Sequence, residues 1–217
     1  MHYPLLQETI ILPNGPFSLY LPEQVEVTNI YRQLQAENEI EPFPYWARLW
    51  PSAIALSAFL QKHPQWVAGK QVAELAAGIG LPSLIAATYA KQVWCSDIRK
   101  EAMEVAAKSA RLHRFENIRF EACNWSNLPV DFNPEVVLLS DINYEPSVFD
   151  ELEKVLKGLL QRGCTLLLAT PQRLMAKPFL EKLSGFIANS HEEGVEADGQ
   201  ITFITIFELR LIIGKNE

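Results

Sequence analysis

The sequence predicts an α/β fold, a mainly parallel sheet with helices on its faces, and three observations carry that prediction. After Gly69, short apolar runs alternate with longer stretches of helical spacing. One of these runs passes through Gly78 and Gly80 directly into a helical stretch, VAELAAGIGLPSLIAA. The next run, QVWCS, ends at Asp97, seventeen positions past Gly80, where a crossover returns the chain beside the glycines.

Taken in order, ETIILPNGPFSLYLPE reads as two short strands around Asn14-Gly15, a strong hairpin signal. Thr28 to Asn38 carries a helix that Glu41-Pro-Phe-Pro44 breaks, and Ser52 to Lys62 a second helix with Ser52 as its N-cap. Strands are predicted over Gln71 to Leu75, Gln92 to Ser96, Asn117 to Ala122, Glu135 to Ser140, Cys164 to Ala169 and Ile201 to Leu209. Helical spacing covers Leu81 to Ala90, Lys100 to His113, Ser147 to Gln161 and Arg173 to Ser184, while Glu192 to Gln200 reads as a loop that, by position and polarity, is expected with the N-terminal region to rim the site. Helices of this length between short strands imply right-handed crossovers, which gather ligands at the carboxyl ends of the strands. We expect residues 1–43 to form a hairpin and helix added to a domain spanning residues 44–217.

A hydrophobic content of 48% with 21% charged residues in 217 positions is ordinary for a globular protein and excludes a disordered or collagen-like chain. No stretch approaches the roughly 18 apolar residues of a spanning helix, and MHYPLLQETI lacks a basic region before an apolar run. A cytoplasmic location with no membrane partner is therefore expected, and a monomer is favoured. The net charge of −7, without a Lys/Arg cluster, opposes a nucleic-acid partner. Cys95, Cys123 and Cys164 are far apart among apolar neighbours and read as reduced core residues, so neither a disulfide nor a metal is expected. His2, His63, His113 and His191 all fall outside the predicted site, which leaves no histidine for a nucleophile triad.

Glycines at 78 and 80 let the backbone pass close to a ligand, and a carboxylate at Asp97 can accept both hydroxyls of a ribose. A tight strand-to-helix turn and a helix N-cap use the same residues. NAD and S-adenosylmethionine both suit such a loop. The dinucleotide pattern G-x-G-x-x-G/A fits poorly, because the third place from Gly78 is Ser83 and the first place of the other register is Ala76. Glu74 adds a carboxylate better matched to the amine and sulfonium of a methyl donor than to a pyrophosphate.

The segment E-L-A-A-G-I-G resembles motif I of the seven-β-strand S-adenosylmethionine-dependent methyltransferases, usually E-L-G-x-G-x-G, with Ala76 at the first glycine. PYWARLWPSAIALSAFL before it, and NWS and SDINYEP after it, follow in the order of the family-sixteen branch, over roughly Pro44 to Pro171. That branch is known largely for methylating protein lysines, with arginine methylation also claimed. The resemblance implies a Rossmann-like seven-stranded sheet, mainly parallel with an antiparallel C-terminal strand, and S-adenosyl-L-methionine as cofactor. It implies a cofactor pocket of Trp50 (with Trp46 as competitor), Glu74, Ala76, Ala77, Gly78, Gly80, Asp97, Ile98, Asn124, Trp125 and Ser140. Core packing of the tryptophans and an Asx-turn at Asn124 are the ligand-free alternatives.

Asp141 and Tyr144 match the D/E-x-x-Y motif of the lysine-methylating branch, which implies that they hold and align the acceptor amine as the catalytic pair. Their alternative is a turn leading to Pro146. The motif is also similar to the N/D-P-P-Y of amino-methyltransferases acting on nucleobases or glutamine, but Ile142 and Asn143 replace both prolines. The expected acceptor is an exposed lysine on a protein. A small-molecule amine, a cofactor-binding protein without turnover and an NAD-dependent oxidoreductase are the remaining readings.

Overall fold

The computed structural model describes residues 3–37, 43–172, 176–197 and 199–212. The chain starts with a hairpin, β1 (Leu5–Leu12) and β2 (Gly15–Pro22), paired from Leu5↔Pro22 to Leu12↔Gly15. Its two loop residues are Pro13 and Asn14, one place earlier than predicted. Proline presets φ for the first corner, so the reversal begins there, and Gly15 opens the second strand at φ 111°. Helix α1 (Gln24–Ala36) starts four residues before the expected Thr28, because the Gln24 amide anchors its first turn to the carbonyls of Pro22 and Ala47, both at 2.9 Å. The predicted end of that helix at Asn38, and Glu41 of the predicted break, lie outside the described residues.

Helix α2 spans Pro51–Lys62. Trp50, not Ser52, stands at its cap, since proline at the first helical position has the required φ and no N–H to satisfy. Ser52 consequently lies inside the first turn, and its hydroxyl is buried without a hydrogen-bond partner.

The main sheet contains β3 (Gln71–Leu75), β4 (Gln92–Asp97), β5 (Ile118–Ala122), β6 (Val136–Ser140), β7 (Thr165–Pro171), β8 (Ile187–Ala197) and β9 (Gln200–Leu209), in the order β5-β4-β3-β6-β7-β9-β8. The first five in that order are parallel, and β9 runs antiparallel to both its neighbours. The predicted strands appear within two residues of their expected ends, but β8 was expected in part as a loop. Its sequence IANSHEEGVEA has no apolar run, because an edge strand buries little of either face. The order reverses at β3, with β4 on one side and β6 on the other, which opens a crevice above their carboxyl ends.

Helices α3 (Leu81–Ala87), α4 (Lys100–Leu112), α5 (Phe149–Gln161) and α6 (Lys177–Leu183) complete the crossovers. The predicted start of the last one, Arg173 to Met175, lies outside the described residues. On one face, Leu56 and Phe59 of α2 and Leu84 of α3 pack with Phe17 and Leu19 of the hairpin against Val72 and Leu138. On the other, Leu152 and Leu156 of α5 and Phe179 of α6 cover Leu75 and Leu139. Each such fully buried side chain contributes about 1.5–3 kcal/mol. Cys95 and Cys164 are buried free thiols as expected; Cys123 is only half-buried, because it follows edge strand β5. Among the described residues no helix is long and apolar enough to cross a membrane.

Gly80 ties the loop after β3 to this packing. It sits at φ 75°, and a Cβ there would stand 3.0 Å from the Cys95 sulfur and 3.3 Å from the Ala106 methyl. Gly80→Ala is expected to cost about 3 kcal/mol through left-handed strain and overpacking. Thermal unfolding should register this as a fall in Tm of roughly 6–12 °C; an unchanged Tm would contradict the packing.

Candidate active site

Between β3 and α3 the chain reverses through three left-handed residues, Ala76 (φ 51°), Gly78 (φ 53°) and Gly80. Ala76 bears the strain that glycine would avoid, about 1–2 kcal/mol for an L-residue. Ala76→Gly is therefore expected to raise stability by about 0.5–1 kcal/mol once the extra unfolded-state freedom of glycine is subtracted. A lower Tm would show that the Ala76 methyl, half-buried beside the α5 core, outweighs the strain.

Gly78 lets the loop pass under Trp46, whose carbonyl oxygen lies 3.3 Å from where a Cβ would project. Three of the loop amides are already engaged. Ala77 N–H donates to the Ser96 carbonyl at 2.9 Å, Gly78 N–H to Asp97 Oδ2 at 2.8 Å and Gly80 N–H to the Ala77 carbonyl at 2.8 Å. These amides are not left to cradle a pyrophosphate, and the neighbouring carboxylates would repel one, which disfavours a dinucleotide.

Asp97, at the end of β4, also accepts from Arg99 N–H at 2.9 Å through Oδ1. Burial raises its pKa, opposed by the backbone N–H groups of Arg99 and Gly78. Two amides occupy only part of a carboxylate's acceptor capacity, which leaves room for a vicinal diol. Ile98 beside it is 64% exposed, an apolar surface at the lip of the crevice.

Glu74 alternates with Ala73 and Leu75 along β3 and so faces α3, fully buried. Its Oε2 accepts from Ser83 N–H at 2.8 Å and the Ser83 hydroxyl at 2.6 Å, which satisfies a first-turn amide of α3. Its Oε1 is buried without a hydrogen-bond partner. Burial pushes the carboxyl up to about 8; Ser83 opposes this, Asp97 reinforces it, and the Ser140 hydroxyl, near the carboxyl but outside hydrogen-bonding geometry with it, lowers it least. An orphaned buried acceptor next to a glycine loop fits the cationic amine of an amino-acid moiety, as S-adenosylmethionine carries.

After β5, Asn124 is exposed and its Oδ1 accepts from Ser126 N–H at 3.0 Å, the Asx-turn named as the alternative. Trp125 is half-buried against the α5 core. The Cys123 N–H donates to the Asp97 carbonyl at 2.8 Å, which holds this segment beside the end of β4.

The two tryptophans separate in space. Trp46 lies on the glycine loop, whereas the Trp50 indole donates to the Tyr45 carbonyl at 2.9 Å under the Arg48 guanidinium, 5.0 Å from its ring. The Tyr45 ring lies 6.1 Å from Trp50 and 5.7 Å from Tyr144, so Trp50 belongs to the Tyr144 side.

β6 ends at Ser140, half-buried, and Asp141 follows at φ 55° with its N–H donating to the Ala169 carbonyl at 2.9 Å. Asp141 is 9% exposed and Tyr144 47%. The Tyr144 phenol is held above its ordinary pKa by burial first, then by Glu145, Asp97, Tyr45 and Asp141. Asp97 ends β4 and Asp141 follows β6, the strands on either side of β3, and both push this phenol up. Sequence reasoning missed Tyr45, legible only as part of an aromatic run, and Ser83, whose signal was its place in the first turn of α3. It gave Asn143 no role, yet its side chain is buried and both amide atoms lack partners.

A groove of about 360 Å³ between Tyr3, Leu5 and α4 contains none of these groups apart from Trp46 at its wall, and is not the site. Among the described residues no three His, Cys, Asp or Glu side chains are grouped to hold a metal.

The chain is 25% identical over 121 residues to the human histone-arginine methyltransferase METTL23, a match covering 53% of this chain and 64% of that one. It is 32% identical over 115 residues to the human electron transfer flavoprotein beta subunit lysine methyltransferase, covering 52% and 44%. The chain thus spans only about half to two thirds of the length of these curated relatives. The solved structure of the N-methyltransferase NodS from Bradyrhizobium japonicum WM9 with S-adenosyl-L-homocysteine superposes with a TM-score of 0.57 at 13% identity, over 83% of this chain and 98% of that one, and shows the shared fold. With its sequence matching the family described as lysine methyltransferase over residues 31–186, the chain belongs to that family.

Proposed function

We propose that this protein transfers a methyl group from S-adenosylmethionine to the side-chain amine of a lysine on a protein substrate. One observation carries the reading: Asp97, latched to Gly78 at 2.8 Å, ends β4, and Asp141 follows β6, so the two carboxylates stand at the carboxyl ends of the strands that flank β3 and its glycine loop. A cofactor site and an acceptor site thereby share one crevice. Family membership supports lysine as the acceptor, and the net charge of −7 suits a basic substrate.

When bound, S-adenosylmethionine would supply an electrophilic methyl group: an amine nitrogen attacks its carbon in line with the C–S bond, and S-adenosylhomocysteine leaves as a neutral thioether. Glu74 Oε1 and Asp97 are suited to the amino and ribose ends, Ile98 and Trp125 to the faces of adenine and the Asn124 amide to its edge. Ala76, Ala77, Gly78 and Gly80 keep the backbone close, Ser140 stands beside Glu74 on the cofactor side, and Trp50, expected in the cofactor pocket, walls the acceptor side through Tyr45. The attacking amine must be neutral, so Asp141 accepts one of its N–H groups and offsets the positive charge that grows on nitrogen. Tyr144, with its raised pKa, stays protonated and aligns the amine through its hydroxyl, with the Tyr45 ring behind it. The cytoplasm is the compartment this reading assumes.

The test is incubation with deuteromethyl-labelled cofactor and a proteome lacking the protein, followed by mass spectrometry of the modified residue. Label on lysine is expected. Label confined to small metabolites would remove the protein substrate, and label on arginine alone would replace the acceptor.

A further inference from the structure

We propose that the outer end of the β8–β9 hairpin is a docking surface for a basic, apolar segment flanking the target residue; this rests on the protein-lysine reading. Side chains on one face of β9 run Ile201, Phe203, Thr205, Phe207 and Leu209. Phe207 and Leu209 join the core under α5 and α6, while Ile201 and Phe203 continue the same face past it, 65% and 60% exposed. Scattered apolar residues on a surface need no explanation, but two on successive positions of one face form a continuous platform.

The partner strand shapes that platform. Opposite Ile201, Phe203 and Thr205 stand Glu196, Gly194 and Glu192. Gly194 leaves the middle open: a Cβ there would meet Ile201 Cγ2 at 3.4 Å and Phe203 Cε1 at 3.8 Å, so both side chains lean over it. Glu192 accepts from the Gln172 amide at 2.8 Å, a neutral partner that leaves its charge intact. Glu193, on the other face, is instead neutralised by Lys62 at 2.6 Å. An apolar platform bordered by two carboxylates complements a segment that carries both apolar and cationic side chains.

Its position suits a substrate bound at Asp141. Ser140 pairs with Ala169, and Ala169 with Ile206. Phe203 lies three residues beyond Ile206, past the carboxyl end of β7, and β9 is two strands from β6. That places it about 10 Å along and about 10 Å across from the end of β6. An extended chain covers this separation in about four residues.

Two peptides test the surface, each with one central lysine. One carries leucine and arginine three to five positions away on both sides; the other carries serine and glutamate there. The wild-type protein is expected to favour the first by about tenfold or more in kcat/KM. Ile201→Ser/Phe203→Ser should erase the preference through KM with kcat retained, and Glu192→Gln/Glu196→Gln should reduce it and its salt dependence. Both variants should keep wild-type affinity for S-adenosylhomocysteine, which shows that they fold. Equal turnover of the two peptides, or a preference that survives the Ile201/Phe203 variant, overturns the surface and leaves the lysine reading standing. Concentration-dependent dimerisation abolished by the same variant also overturns it, assigning the face to a second copy. Wild-type protein that binds S-adenosylhomocysteine but methylates neither peptide nor any protein overturns both.

Discussion

Asp141→Asn is expected to lower kcat by about two to three orders of magnitude while S-adenosylhomocysteine affinity stays within about twofold. Asparagine is the informative replacement because Asp141 sits at φ 55°, a conformation asparagine tolerates and alanine resists. The backbone N–H to Ala169 is kept, so the shape of the turn survives while the charge is lost. Without that charge, the cation growing on the acceptor nitrogen has no carboxylate beside it. Tyr144→Phe should cost less, roughly tenfold, since the ring remains and only the hydroxyl goes. Initial rates at saturating cofactor and acceptor measure both effects. An Asp141→Asn enzyme within threefold of wild type would remove Asp141 from the chemistry.

The largest effect on stability is expected at Glu74, whose carboxyl is raised from an ordinary 4.5 to about 8, chiefly by burial. Between these values the folded protein holds a proton that the unfolded chain has released. The contribution is fully present below 4.5 and is lost as pH rises through 8, so the cofactor-free protein loses several kcal/mol across that interval. Glu74→Gln has no proton to lose, and its Tm should be the flatter of the two between pH 5 and 8.

Cofactor affinity should move the other way. An ionised Glu74 matches a cationic amine, so binding to wild type below pH 8 should release a proton and tighten as pH rises. Glu74→Gln should bind roughly 30- to 100-fold more weakly and release none, since a hydrogen bond to a charged group is worth about 2–3 kcal/mol. Calorimetry in buffers of different protonation enthalpy reads the proton directly. Matching pH profiles for wild type and variant would show that this carboxyl ionises normally in the fold.

Strand positions, the glycine loop and the acid closing β4 were legible because each depends on local pattern: apolar runs make buried parallel strands, and a strand-to-helix reversal demands left-handed residues. The motif at Asp141 and Tyr144 could be placed at the end of β6 for the same reason. The error at Ser52 was local too, since Pro51 at the first helical position moves the cap back to Trp50. Strand β8 escaped because an edge strand carries little hydrophobic signal and exists only by pairing with β9.

By itself the sequence determined which residues alternate, turn and cap, and hence that an α/β sheet with a glycine loop at the carboxyl end of β3 would form. Only tertiary structure decided that Glu74 keeps one oxygen unpartnered, that Tyr45 joins Trp50 to Tyr144, and that Asp97 bonds Gly78. Those facts arise from contacts between residues distant in the chain. Burial and long-range electrostatics are properties of the packed ensemble of side chains, and no local stretch of sequence encodes them.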